Sequence, residues 1–167
     1  MLLGSRGVRN ILLNICLGFI IPWIFGVFLY KKAPNIVIII FPVASIVSSF
    51  INAIGFHIEF WDFTPLIEDD ETISALPFDI GLYPLAACLA IYWIEVKKTN
   101  HILTLITLSI LLTGIEYIGF ILHKVQYGHG WNIGWTFVSY LIAAITAYGY
   151  YVLAKNHGIN FKGNQSS

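Results

Sequence analysis

Residues 102–122 read ILTLITLSILLTGIEYIGFIL, an apolar run long enough to cross a hydrocarbon core as a helix, interrupted by one carboxylate, Glu116. Water-soluble helices of this length carry a charged face, and this run has none. Working outward, four more stretches have the same character: about 11–30, 36–56, 77–94 and 133–154. The sequence therefore predicts an all-α fold: a polytopic membrane helix bundle of about five transmembrane helices, forming one integral membrane domain over 1–167. Composition agrees, with 57% hydrophobic and 11% charged residues and a mean hydropathy of +0.78, where a soluble domain carries about 25% charged residues. A net charge of zero gives no electrostatic footprint for nucleic acid. Cys16 and Cys88 fall in apolar runs without metal-ligand spacing and read as small buried residues, and no cofactor is implied.

The basic residues set an expected orientation. Lys31 and Lys32 join the first and second spans, Lys97 and Lys98 join the third and fourth, and Lys155 and Lys162 follow the fifth; residues 57–76 contain no Lys or Arg. The positive-inside rule then puts the C-terminus in the cytoplasm and makes 57–76 an acidic external loop. An odd number of spans places Arg6 and Arg9 outside, against the rule, a conflict that a re-entrant first helix at Pro22 would remove. Prolines 22, 42 and 84 lie inside the first three spans, which are expected to kink where neighbours re-satisfy the freed carbonyls.

On this topology the polar residues converge near the external end. An ionisable group in hydrocarbon is costly unless it is used, so Glu116 and Asp79 are the leading candidates for a functional site. The loops HIEFWDFTPLIEDDETISAL (57–76) and HKVQYGHGWNIGW (123–135) supply Trp61, Asp62, His123, Tyr127, His129, Trp131, Asn132 and Trp135. Ser45, Ser49 and Asn52 form a polar stripe on the second span. An outward-opening pocket follows, with Asn52, Trp61, Asp62, Tyr83, Tyr117, His123, His129, Trp131, Asn132 and Trp135 as ligand-binding candidates.

Plainer readings stand beside these. Pro77 suits a helix N-terminus, which would put Asp79 in a first turn where a carboxylate complements the helix dipole. Glu116 has no such role and must be protonated, paired, or facing a wet cavity; Asp79, Asn52 and Ser49 are its expected partners. The tryptophans are usual interfacial anchors. The acidic run Glu68 to Glu71 reads as a solvated loop. His57, Glu59 and Asp62 match no established metal site. Ser139, Ala143 and Ala147 form a small-residue ridge of the kind found at helix contacts. Two glycines, Gly128 and Gly130, predict a tight turn that folds Trp131 back over the start of the third helix.

The order W-D-F-x-P from Trp61, L-P-F-D-I-G-L-Y-P at Leu76 to Pro84, I-E-Y at Ile115 to Tyr117 and Y-G-H-G-W-N-I-G-W at Tyr127 to Trp135 resembles a family of small uncharacterised multi-spanning membrane proteins of spore-forming Firmicutes. That resemblance implies a bacterial plasma membrane and supplies no mechanism. The run from Trp61 through Asp79 to Trp93-Ile94-Glu95 also resembles, more faintly, integral-membrane lycopene cyclase domains, which use membrane carboxylic acids to protonate a polyene. Here Ile80 stands where those enzymes have a second consecutive acid.

Three functions are compatible with this reading. The first is a protein whose polar pocket binds a lipid, a small apolar ligand or a membrane-protein partner. The second is an isoprenoid- or lipid-modifying enzyme with Asp79 and Glu116 as acid and base. The third is a proton- or cation-coupled transporter or channel subunit, which needs a polar path to the inner side.

Overall fold

Two prolines and the carbonyls they free shape the helices nearest the N-terminus. The computed structural model describes residues 14–63 and 71–161. Helix α1, Ile21–Lys32, follows a π-helical turn at Cys16–Ile20. Helix α2 is Pro34–His57. Helix α3 runs through Glu71–Pro77, a π-helical turn at Phe78–Leu82, and Tyr83–Glu95. Each π turn lies just before a proline, Pro22 or Pro84, whose missing N–H leaves a carbonyl four residues back without a helical donor. For Pro84 that carbonyl is Ile80, and Trp23 of α1 supplies the donor from its indole N–H at 2.9 Å. For Pro22 it is Gly18, against which α3 packs so closely that a Cβ on Gly81 would lie 2.0 Å from the Gly18 oxygen. The absence of a side chain at Gly81 is what allows the two irregular turns to cross.

Helix α4, His101–Ile121, starts at Asn100, whose side chain accepts from Leu103 N at 3.2 Å. Helix α5, Ile133–Asn156, starts at Asn132, which accepts from Gly134 N and Trp135 N. These caps satisfy amides that helical bonding leaves open. Among the described residues, Pro34–His57, Ile73–Glu95, His101–Ile121 and Ile133–Asn156 are long and apolar enough to cross a membrane. The all-α bundle is thus as the sequence predicts, and its apolar helices fit a lipid bilayer. The start of the expected first span lies outside the described residues, and the described remainder is helical to Lys32.

The third helix differs from its expected bounds. It is helical from Glu71 instead of starting at Pro77, so Asp79 sits two turns inside it and the first-turn role does not apply. The segment 57–76 is not wholly a loop either. Trp61–Phe63 forms strand β1, which pairs antiparallel with strand β2, Val125–Tyr127, in the register Trp61 to Tyr127, Asp62 to Gln126 and Phe63 to Val125. Trp61 and Phe63 turn inward and pack with Ala75, Val125 and the partly buried Phe56 and Trp131, while Asp62 faces out. This ribbon closes one end of the bundle, hereafter the ribbon end.

Small residues allow the helices to pack closely. Ala44, Ala87, Cys88 and Ala147 are buried with Ile36, Ile40 and Ile91 in one cluster, and Ala90 and Ala144 with Leu105, Leu108 and Leu112 in a second. Close approach of this kind is how helices associate where lipid offers no hydrophobic gain. Both cysteines are free thiols, Cys88 fully buried. The chain after α5 folds back so that Phe161, 2% exposed, meets Tyr151 edge-on at 5.0 Å, while Asn35 donates to the Asn160 carbonyl at 2.9 Å. This end carries Lys31, Lys32, Lys97, Lys98 and Lys155 and is the lysine end.

Candidate functional site

Glu116 comes from α4, one and a half turns before the helix ends, and its three partners come from two other elements. Tyr127 of β2 donates to Oε1 at 2.8 Å, Thr136 of α5 donates to the same oxygen at 3.0 Å, and Tyr140 of α5 donates to Oε2 at 2.5 Å. Trp131, in the loop between β2 and α5, donates its indole N–H to Thr136 Oγ1 at 2.9 Å. The hydroxyls of Tyr140 and Tyr83 are 3.2 Å apart; since Tyr140 has one proton and Glu116 takes it, Tyr83 is the donor in that pair. The result is a string of hydroxyls that ends on one carboxylate. Burial, and then the neighbouring Glu116 charge, push the Tyr127 hydroxyl above its ordinary range, which keeps it a neutral donor.

Asp79 belongs to a separate cluster. It is 3% exposed, and Asn52 Nδ2 donates to its Oδ1 at 2.8 Å, with Ser48 and Ser49 sharing the carboxyl. The expected pairing of Glu116 with Asp79, Asn52 or Ser49 is therefore replaced. The second and third helices serve Asp79, and the fifth helix and the ribbon serve Glu116. The polar stripe on α2 divides accordingly, and Ser45 Oγ is a buried hydroxyl without a partner among the described residues.

Between these helices lies a cavity of about 60 Å³, room for about four to six water-sized groups. Its polar end holds Glu116, Thr136, Tyr140, Asn52 and Tyr83, roofed by Trp61; its far end holds Ala44, Leu108 and Ala144. Ala44 to Asn52, Leu108 to Glu116 and Thr136 to Ala144 are each eight helical steps apart, so the cavity runs about 12 Å along the bundle. Ser139 and Ala143 line it too. Part of the small-residue ridge on α5 thus leaves open space instead of making a helix contact. Asp79 is not among the lining residues, so the two carboxyls do not face each other across it.

Of the predicted ligand residues, Asn52, Trp61 and Tyr83 line the cavity with Glu116, and Trp131 packs above Trp61, stacked on Phe60 at 4.8 Å and tilted against Trp61 at 4.7 Å. The turn before Trp131 has positive φ at His129 and Gly130, and the indole folds onto Phe60 and Trp61, in the same cluster as Ala75 of α3. The others lie elsewhere. Tyr117 is exposed on the outside of α4, stacked on Phe120. His123 follows the helix end with a left-handed backbone. Asp62 and His129 border an outer groove above the ribbon. Asn132 is a helix cap, and Trp135 is 54% exposed. Among the described residues no three His, Cys, Asp or Glu side chains converge as metal ligands.

Thr136 and Tyr140 were not legible as site residues, although Thr136, Ser139, Tyr140 and Ala143 follow helical i, i+3, i+4, i+7 spacing and share one face. A second missed cluster lies at the lysine end. Glu95, 5% exposed, accepts from Tyr151 and from Lys155, each at 2.6 Å, with Lys98 at 3.6 Å. Comparison of the chain with family models, curated proteins and solved structures gives no match.

Proposed function

We propose that this is a multi-pass protein of the bacterial plasma membrane whose bundle cavity holds a small amphiphile, polar group at Glu116 and hydrocarbon toward Leu108 and Ala44. The observation that carries the reading is the cavity's division along its axis. One end presents a carboxylate with its hydroxyl donors, and the other presents only alkyl groups. Ligand sites combine an apolar wall with a few placed polar groups in this way. The basic residues at the lysine end favour a cytoplasmic location for that end and for the C-terminus, with the ribbon outside.

The alternatives draw less support. Acid and base catalysis by Asp79 and Glu116 needs both groups on one substrate, and only Glu116 lines the cavity. Coupled transport needs a polar path through the bundle. Between the cavity and the Glu95 cluster the helices pack through buried apolar side chains, among them Ile40, Cys88, Ile91 and Leu105.

Native mass spectrometry of the protein released from lipid nanodiscs tests the reading. Wild type should retain a small bound molecule, or one added as a short-chain alcohol or amine, and Ala143→Phe, which fills the cavity, should lose it while unfolding at the same temperature. A wild-type protein that retains nothing overturns the proposal. For orientation, Asp62→Cys should react with an impermeant thiol reagent on intact cells and Lys98→Cys should not; the reverse pattern inverts the topology.

A further inference from the structure

We infer that the cavity selects a ligand with a protonated amine, a small ammonium with a short hydrocarbon body, bound through Glu116 and the aromatic faces of Trp61, Tyr83 and Tyr140. This rests on the amphiphile reading above and adds the chemistry of the polar group. Four features of the site converge on it.

The first is the direction of the hydrogen bonds. A carboxylate offers about four lone-pair positions and no proton. Tyr127 and Thr136 occupy Oε1, and Tyr140 occupies one position on Oε2. One acceptor position on Oε2 is left for a ligand donor. The second is charge. The groups facing Glu116 are Tyr127 from β2, Thr136 and Tyr140 from α5 and Tyr83 from α3, with Asn52 of α2 committed to Asp79. All are neutral donors, so no cation from these elements balances the carboxylate. Hydroxyl donors stabilise the anion without cancelling its charge, and an ammonium does both.

The third feature is the wall. Trp61, Tyr83 and Tyr140 line the same cavity as the carboxylate, and aromatic faces attract cations through their quadrupoles, Trp most strongly. A ligand carboxylate or phosphate would instead meet like charge at Glu116. The fourth is size. Space for about four to six water-sized groups, walled at its far end by alanine and leucine, suits a body of a few carbons and excludes a full lipid chain.

The test uses wild-type protein in nanodiscs with three probes of one length and of five or six heavy atoms, butylammonium, butanol and butanoate, titrated by calorimetry against protein-free nanodiscs. Butylammonium should bind about ten-fold or more tightly than butanol, and butanoate should not bind. Glu116→Gln, which keeps the size and removes the charge, should weaken butylammonium about ten-fold and weaken butanol, for which the amide keeps a hydrogen-bond partner, by clearly less. Ala143→Phe should abolish both. Equal binding of butylammonium and butanol to wild type overturns the ammonium inference and leaves the amphiphile reading intact. Binding of none of the three overturns both. The three-probe comparison in wild type decides the matter even where Glu116→Gln fails to fold.

Discussion

Glu95 and Glu116 stand at opposite ends of the same bundle and each takes a short hydrogen bond from a tyrosine of α5, Tyr151 at 2.6 Å and Tyr140 at 2.5 Å. What separates them is a lysine. Glu95 also receives Lys155 at 2.6 Å, and Phe161 packs over the tyrosine, leaving the carboxylate closed in. Glu116 has hydroxyls and a cavity in place of the cation. One environment completes the charge with a residue of the chain, and it acts as a clasp between α3 and α5. The other gives the carboxylate hydroxyl partners and open space, and it is there that the proposed ligand would supply the cation.

The largest effect is expected from a change that destroys the ribbon end alone. A Cβ on Gly55 would lie 2.0 Å from the Trp61 indole, a rigid group that is itself buried, so Gly55→Ala must displace the roof of the cavity. The cost should be about 3 kcal/mol, at the upper end for overpacking. Hydrogen exchange should show protection lost at 60–63 and 125–128 and kept at 151–156. Uniform loss along the chain would mean that the two ends are not independent and would break the comparison.

Next comes the clasp. Lys155→Met removes the principal cation from a carboxylate that is 5% exposed, though the Lys155 side chain is 47% exposed. Breaking a buried pair costs about 3–5 kcal/mol, and the exposure of the lysine brings the expected loss to about 2 kcal/mol. Adding Glu95→Gln should recover a good part of it, since the stranded charge is then gone. A double-mutant cycle measures that coupling. Additive losses would show that Glu95 and Lys155 do not act as a pair.

The contrast explains what the sequence discloses and what it hides. Helix number and most boundaries are legible because an apolar run of bilayer length has few alternatives. The start of α3 is hidden because Glu71 and Thr72 look like loop, and a helix that extends beyond the hydrocarbon needs no apolar residues there. Glu116 is legible as a lone charge in an apolar run. Its partners are not, since Tyr140 and Thr136 in α5 carry no charge, and an uncharged tyrosine in a span reads equally well as lipid-facing. The ribbon is hidden for another reason: Trp61–Phe63 and Val125–Tyr127 are three residues each, too short to show alternation. Glu95 reads as a helix-end charge near the basic loop, and only the return of the chain to Phe161 encloses it.

Glu116→Gln sharpens the contrast from the other side. The amide keeps one acceptor for the hydroxyls of Tyr127 and Thr136 or of Tyr140 and places an N–H₂ where the second acceptor was, so one hydroxyl must turn. The expected loss is about 1 kcal/mol, that of one ordinary hydrogen bond, and below the loss from Lys155→Met. Thermal unfolding of the two variants in one detergent gives the order. A larger loss for Glu116→Gln would make that carboxylate the structural one.

The smallest effect is expected at Trp131. Its indole does two things: the ring stacks on Phe60 and packs at a tilt against Trp61, and its N–H reaches Thr136 Oγ1 at 2.9 Å. Trp131→Phe keeps most of the first and removes the second. Thr136, 1% exposed, can still give its proton to Glu116, and its oxygen stays 3.2 Å from the Tyr127 hydroxyl, so the loss should be about 0.5 kcal/mol, the low end for one hydrogen bond. Binding of butylammonium should change less than about two-fold, because neither the carboxylate nor the three aromatic side chains lining the cavity are altered. That outcome separates the roof from the site beneath it. Should Trp131→Phe weaken the amine as much as Glu116→Gln does, the aromatic roof would hold the ligand, and the unbalanced charge that distinguishes the two ends of the bundle would have no part in binding.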